Sequence, residues 1–177
     1  MIEVRWHGRG GQGGFTAARL LGMAAALFEG RFALAFPAFG PERRGAPVLG
    51  FTRIDDRKVT DRSAVTACDI VVVLDDTLLG PGVVKGLRAG GVVVVNTARQ
   101  ELLIALPEGG RLVRADAAAL ALDVLGKPIA NTAMLGVLAA ATGVVSLSSI
   151  EKAVRHEMPA KLAELNVALL RKAAESL

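Results

Sequence analysis

A glycine-rich segment between two regular stretches most constrains how this chain can fold. Residues 2–7 alternate between apolar and polar side chains as in a β-strand, and Phe15–Leu27 has the apolar spacing of a helix. The segment between them contains a G-x-G-x-x-G spacing and consists of Gly8, Arg9, Gly10, Gly11, Gln12, Gly13 and Gly14. Such a loop permits a tight turn and lets backbone N–H groups approach a phosphate at the helix N-terminus. The sequence therefore predicts a Rossmann-like first βα unit.

Two interpretations of this loop remain open at the level of sequence. The glycines either bind a phosphate or only allow the helix to pack closely against the strand. A dinucleotide site would also place an acid after the second strand to hold the ribose, but residues 36–39 are apolar there. Arg43 and Arg44 keep an NADP interpretation open, because a basic residue can accept a 2′-phosphate.

Two continuous runs rich in β-branched residues, Asp69–Leu74 and Gly91–Asn96, predict central strands covered on both faces. Residues 78–89 lie between them and are a candidate crossover helix. Val48–Ile54 and residues 58–60 flank Asp55–Arg57, which predicts a hairpin and a partly mixed sheet. Further strands are expected within 31–39 and 111–115, and helices over 117–125, 132–142, 149–156 with Ser149 as N-cap, and 160–176.

These elements predict a single domain over residues 1–177. Its fold class is α/β, a three-layer α/β/α arrangement with a mainly parallel, partly mixed sheet. A chain of 177 residues that is 52% hydrophobic is long enough to bury one sizeable core.

Composition limits the partners and the chemistry. The net charge of +4 favours an acidic partner such as a nucleotide, coenzyme A or ferredoxin. Nucleic acid is not expected, because aromatic residues make up only 4% of the chain and Tyr is absent. Cys68 is the single cysteine, so this chain cannot form an internal disulfide or hold a cysteine-ligated iron–sulfur cluster by itself. The N-terminal residues and the polar side chains within 128–150 predict a cytoplasmic protein without a membrane segment.

A charged loop around residue 43 is a candidate interface or active-site loop because its prolines and glycines exclude regular structure. Its candidate residues are Pro41, Glu42, Arg43, Arg44 and Gly45. Glu42, beside Arg43 and Arg44, is interpreted as a partner in a loop-bracing or intersubunit salt bridge rather than as a direct substrate contact.

Other polar residues have ordinary structural explanations. Asp75 and Asp76 are expected to cap a helix, and Asn131 and Thr132 to open one. His7, His156 and Cys68 are assigned structural roles, and no catalytic residue or metal ligand is assigned in this chain.

Three segments together resemble a known family, over nearly the whole chain. They are residues 8–13, residues 39–45, and residues 131–136, joined by Asp69–Asp75 and residues 93–97. In this order they resemble the gamma subunit of pyruvate and 2-oxoacid:ferredoxin oxidoreductases.

The resemblance implies coenzyme A-dependent oxidative decarboxylation of a 2-oxoacid, most simply pyruvate, with electrons passed to ferredoxin. It implies thiamine diphosphate, Mg²⁺ and iron–sulfur clusters on alpha, beta and delta-type partner subunits, and a gamma chain that is inactive alone. The coenzyme A phosphates would suit a cofactor-binding set of Gly8, Gly10, Gly11, Gln12, Gly13, Arg43, Arg44 and Asn131.

Two other functions remain possible from the sequence. A stand-alone NADP-binding reductase would bind the dinucleotide unassisted. A non-catalytic assembly module would use the glycine loop only for packing and the basic loop only for docking.

Overall fold

The computed structural model describes residues 1–38 and 44–177. Within these ranges it contains six strands: β1 Ile2–Arg9, β2 Phe32–Pro37, β3 Pro47–Asp55, β4 Cys68–Val73, β5 Leu87–Asn96 and β6 Arg111–Ala115. They form one sheet in the order β2-β3-β1-β4-β5-β6. The β1–β4, β4–β5 and β5–β6 pairs are parallel, whereas β3 is antiparallel to both β1 and β2. The predicted α/β class with a mainly parallel, partly mixed sheet is confirmed.

The helices of the described residues are α1 Gly14–Phe28, α2 Pro81–Val84, α3 Ala117–Leu125, α4 Asn131–Thr142, α5 Leu147–Glu157 and α6 Ala160–Glu175. All except α2 contribute to the larger core against one face of the sheet, where alternate strand residues such as Trp6, Val72 and Val94 point. The other face carries Phe51, Val73 and Val95. It is covered by α2 and by connecting segments, so this outer layer is thinner than the helical one.

Helix α4 lies at the centre of the helical layer, and its first nine residues are all buried. It packs closely on α6 because Gly136 has no side chain: a Cβ there would lie 2.1 Å from the Leu170 carbonyl oxygen. This contact between two helices fixes α4, and α4 begins with Asn131 at the edge of the sheet.

Two predicted elements are wrong. The hairpin does not form, because β3 ends at Asp55 and residues 58–60 are not in a strand. The mixed character comes instead from the long ladder in which residues 47–54 of β3 pair with all of β1. The crossover helix over 78–89 is also absent. Only the four residues of α2 are α-helical, and Gly86 adopts a left-handed φ of 80° just before β5 begins at Leu87.

The start of α5 differs from its prediction. Ser146, not Ser149, is the N-cap, and its Oγ accepts a hydrogen bond from the Ser149 backbone N–H at 3.2 Å. Ser146 has the extended backbone that an N-cap requires, whereas Ser149 already lies in the first turn. Among the described residues, no helix is long and apolar enough to cross a membrane.

Candidate functional site

The carboxyl ends of β1, β4, β5 and β6 meet at one edge of the sheet, where open α/β sheets bind ligands. After β1 the chain continues to β2 and β3 on one side of the sheet, and after β4 it continues to β5 and β6 on the other side. The point between β1 and β4 is therefore the topological switch point of the sheet. A cavity of about 440 Å³ opens at this edge. Its lining includes Gln12, Asp75, Asp76, Asn96, Asp116 and Asn131.

The glycine loop follows β1 and turns directly into α1. Gly11 and Gly13 adopt left-handed φ values of 95° and 74°, which favour glycine. Gly13 is the N-cap of α1 and has no side chain to cap it, so the first N–H groups of the helix lack a partner within the helix. The Gln12 side chain folds back over the turn: Oε1 accepts from the Arg9 backbone N–H at 2.8 Å and Nε2 donates to Asp75 at 3.1 Å.

Residues 44–46, called the basic segment below, lie directly against this loop. The Gly10 backbone N–H donates to the Ala46 carbonyl at 2.9 Å, and the Gly45 N–H donates to the Gly10 carbonyl at 3.1 Å. Arg44 and Gly10 form a parallel β-bridge, and Arg44 and Gly45 are exposed. The glycine loop and residues 44–46 therefore form one continuous surface. Pro41, Glu42 and Arg43 of the predicted loop lie outside the described residues.

The third predicted segment also reaches the glycine loop. Asn131 Nδ2 donates to the Gly13 carbonyl oxygen at 3.3 Å, and its Oδ1 accepts from the Thr132 N–H at 2.9 Å. Asn131 and Thr132 open α4 as expected, but neither is its cap: Ala130 is the N-cap, and no side chain caps the helix. Asn131 instead ties the start of α4 to the start of α1.

The two acids that follow β4 have different partners. Asp75 caps a short 3₁₀ turn, as predicted, by accepting from the Thr77 N–H at 3.0 Å. Burial raises the Asp75 pKa, but hydrogen bonds from Thr77, Gln12 and Arg9 outweigh this and hold it below its ordinary value. Asp76 is not a cap: it accepts from Thr97 Oγ1 at 2.6 Å and pairs with Arg99 at 3.2 Å.

Arg9 is the residue of this site that sequence reasoning missed. Its guanidinium donates to Asp75 Oδ2 at 2.9 Å, to Thr77 Oγ1 at 2.9 Å and to the Gly45 carbonyl at 3.1 Å. The available signal was positional: Arg9 ends β1 and Asp75 follows β4, and the ends of neighbouring parallel strands meet.

The family to which this fold and site belong follows from comparison with known proteins. A family model described as pyruvate ferredoxin/flavodoxin oxidoreductase matches residues 3–176. The chain belongs to this family. All three motif segments that predicted the resemblance lie within the matched range, so the resemblance is confirmed.

Individual relatives of this oxidoreductase family member are similar over nearly their whole length. The chain is 51% identical to the pyruvate synthase subunit PorC of Methanocaldococcus jannaschii, over 99% of this chain and 94% of the relative. It is 49% identical to the pyruvate/ketoisovalerate oxidoreductases common subunit gamma of Thermococcus kodakarensis, with the same coverages. A crystal structure of pyruvate oxidoreductase subunit PORC from Thermotoga maritima has a TM-score of 0.85 at 39% identity, covering 98% of this chain and 95% of that one.

The two histidines and the single cysteine of this family member, which were assigned structural roles from the sequence, have different surroundings. Arg5 Nε donates to His7 Nε2 at 3.0 Å, and burial together with the nearby Arg5 charge lowers the His7 pKa to about 4. Cys68 is buried, and burial raises the pKa of its thiol. His156 is exposed on α5. The described residues contain no group of three or more His, Cys, Asp or Glu that could hold a metal ion.

Proposed function

We propose that this chain is the gamma-type subunit of a pyruvate:ferredoxin oxidoreductase, in which coenzyme A accepts the acyl group and ferredoxin accepts the electrons. The observation that carries the proposal is the convergence of the three motif segments. Gly10 is hydrogen-bonded to residues 45 and 46, and Gly13 to Asn131, at one edge of the sheet. Residues 1–177 act as one domain, since both cores share a single sheet.

Pyruvate is proposed because it appears in the names of the three relatives described above. The Thermococcus relative is named for both pyruvate and ketoisovalerate oxidoreductases. A subunit that is shared by oxidoreductases for two different oxoacids supports the idea that the gamma chain does not itself select the oxoacid. We therefore place the oxoacid contacts mainly on partner subunits.

The cofactors are also proposed to lie on partner subunits of alpha, beta and delta type. Thiamine diphosphate with Mg²⁺ supplies the decarboxylation, and iron–sulfur clusters carry single electrons to ferredoxin. Cys68 is one buried thiol with a raised pKa, which fits neither a set of cluster ligands nor a reactive thiolate. This chain contributes a binding surface to the shared active site and is inactive alone.

The binding surface fits the phosphates of coenzyme A. The N-terminal N–H groups of α1 have no side-chain cap, and the segment that carries Arg44 is hydrogen-bonded to the same loop. Asp75, Asp76 and Asp116 line the neighbouring cavity and would repel a phosphate there. The phosphates are therefore assigned to residues 10–13 with Arg43 and Arg44, and an uncharged part of the ligand to the cavity.

The sheet order disfavours a stand-alone NADP-binding reductase. In a dinucleotide fold the ribose acid ends a strand adjacent to the glycine loop strand. Here the antiparallel β3 lies between β1 and β2, so the carboxyl end of β2 is not adjacent to the strand that leads into the glycine loop. The ribose site of that fold has no counterpart at this position.

The function is tested by purifying the tagged chain from its native host without oxygen and measuring 2-oxoacid-dependent reduction of a viologen dye with coenzyme A. We expect partner subunits to co-elute and pyruvate to give the highest rate. A lone protein that binds NADP would contradict the proposal.

The coenzyme A site is tested in the same complex with the variant Arg43→Ala/Arg44→Ala. Loss of charge-assisted hydrogen bonds should raise KM for coenzyme A by about tenfold or more, with KM for pyruvate unchanged. Arg155→Ala is the control, because Arg155 pairs with Glu151 and Glu164 on α5 and α6. An unchanged KM for coenzyme A would refute the site, and loss of assembly would favour the docking module.

A further inference from the structure

Arg9 connects three segments of the chain that meet at the sheet edge. Each of its three side-chain nitrogens donates one hydrogen bond: Nε to Asp75, Nη1 to the Gly45 carbonyl and Nη2 to Thr77. A planar guanidinium fixes the directions of these bonds relative to one another. The position of Gly45 is thereby tied to the end of β4.

Among the described side chains, only that of Arg9 forms a hydrogen bond to the basic segment. Residues 44–46 are also held to the glycine loop by two backbone hydrogen bonds to Gly10. Arg44 and Gly45 are exposed, so their backbone bonds are open to competition from water. Loss of the Arg9 side chain should let the segment move away from the loop.

Arg9 is itself fixed by a side chain that cannot easily move. Asp75 is held by Thr77 and Gln12 as well as by Arg9, and its side chain is only 16% exposed. The carboxylate neutralises the Arg9 charge at a distance of 2.9 Å. Because its charge is paired and all three nitrogens donate within the protein, Arg9 is poorly suited to bind an anion directly.

We propose that Arg9 is a positioning residue, fixed by Asp75, that holds residues 44–46 against the glycine loop so that the Arg44 cation faces the coenzyme A phosphates. The inference rests on the proposed function for the identity of the ligand. The geometric part, which concerns how the segment is held, is independent of that identity.

A double-mutant cycle in the purified complex tests the inference, using Arg9→Ala, Arg43→Ala/Arg44→Ala and the triple variant. Arg9→Ala alone should raise KM for coenzyme A by about tenfold, the effect of losing a charge-assisted contact. In the Arg43→Ala/Arg44→Ala background the same change should alter KM by less than about twofold, because Arg44, through which it acts, is gone. KM for pyruvate should stay the same throughout.

Hydrogen exchange of the complex gives a second readout that does not involve coenzyme A. The amide of Gly45, which donates to Gly10, should exchange about tenfold faster in Arg9→Ala, as expected for loss of one supporting hydrogen bond. Asp75→Asn removes the charge on the partner and keeps an acceptor for Thr77. It should shift exchange and KM in the same direction by a smaller factor, and it replaces Arg9→Ala if that variant fails to assemble.

The outcomes separate the inference from the proposed function. Equal losses of coenzyme A affinity with and without Arg43 and Arg44 would overturn the inference, since Arg9 would then act on its own. Unchanged exchange at Gly45 would also overturn it. Faster exchange in Arg9→Ala, with KM for coenzyme A unaffected by Arg43→Ala/Arg44→Ala, would support the positioning role and refute the coenzyme A site.

Discussion

Asn131 donates from Nδ2 to the carbonyl oxygen of Gly13 at 3.3 Å, which joins two residues 118 positions apart at the start of α4 and α1. The approach requires glycine at position 13 for two reasons. Its φ is +74°, and a Cβ there would lie 2.4 Å from the Asn131 Nδ2. The glycine thus serves the contact between helices as well as the turn.

Replacement of Gly13 by Ala should therefore lower the free energy of unfolding by about 2 kcal/mol or more, from backbone strain and the clash with Asn131. Urea denaturation of the purified chain measures the change. Gly30→Ala is the matched control, because Gly30 has a φ of +66° and a Cβ there would meet nothing within 4 Å. It should cost only about 1 kcal/mol from strain. Equal losses of unfolding free energy in Gly13→Ala and Gly30→Ala would show that the clash with Asn131 does not contribute to the loss.

Replacement of a helical glycine by Ala should destabilise the chain at Gly136 and stabilise it at Gly22. At Gly136 the new Cβ would lie 2.1 Å from the Leu170 backbone, so Gly136→Ala should destabilise the chain by roughly 3 kcal/mol through separation of α4 and α6. At Gly22 in α1 the nearest atoms are methyl carbons at 3.6 Å, an ordinary contact. Gly22→Ala should stabilise the chain by up to about 1 kcal/mol, because Ala favours the helix. Thermal and urea unfolding measure both, and destabilisation by Gly22→Ala would contradict the packing described.

His7 should make the stability of the chain depend on pH between about 6.5 and 4. Its pKa is lowered to about 4 in the folded chain by burial and by Arg5, so the unfolded chain binds the proton first as pH falls. Stability should therefore decrease with falling pH across this window, by about 3 kcal/mol in total at 1.36 kcal/mol per pKa unit.

His7→Gln keeps an acceptor for Arg5 and removes the titration, so the slope of unfolding free energy against pH should flatten in this variant. His156→Gln, at the exposed histidine, should leave the slope unchanged. If both variants keep the wild-type slope, groups other than His7 cause it.

Glu151 anchors a charged cluster between α5 and α6. Its carboxylate accepts from Arg171 at 2.7 and 2.6 Å, and the residue is only 8% exposed. Burial opposes ionisation, but the Arg171 hydrogen bond holds the Glu151 pKa below its ordinary value. Glu151→Gln should lower the free energy of unfolding at pH 7 by about 1 kcal/mol, a figure reduced by the exposure of Arg171. Asp123→Asn breaks the exposed pair with Lys172 and should have no measurable effect.

The elements that could be predicted from sequence are those with a strong local pattern. β6 and α3 have the predicted bounds of 111–115 and 117–125, because each shows a clear periodicity between turn signals. The antiparallel ladder between β1 and β3 could not be predicted, since its partners are some 40 to 50 positions apart and the local hairpin pattern pointed elsewhere. Non-local pairing overrode the local signal at that point.

The sequence singled out the parts of the candidate site but not how they are arranged. The sequence identified the glycine loop, the basic segment and Asn131 separately and assigned no role to Arg9. The structure gives Gln12 a role that the G-x-G-x-x-G spacing does not specify: its side chain folds over the turn and bonds to the Arg9 backbone and to Asp75. Side-chain contacts that bridge strand ends depend on sheet order, which periodicity does not specify.

The most direct test of the central claim is photocrosslinking of the assembled complex with a photoreactive coenzyme A analogue, followed by peptide mapping. We expect label on the tryptic peptides 10–19 and 45–53 of this chain, which contain most of the glycine loop and residues 45 and 46 of the basic segment. Excess unmodified coenzyme A should suppress this label. Label confined to other subunits, with this chain unmodified, would contradict the claim that the gamma-type subunit binds coenzyme A.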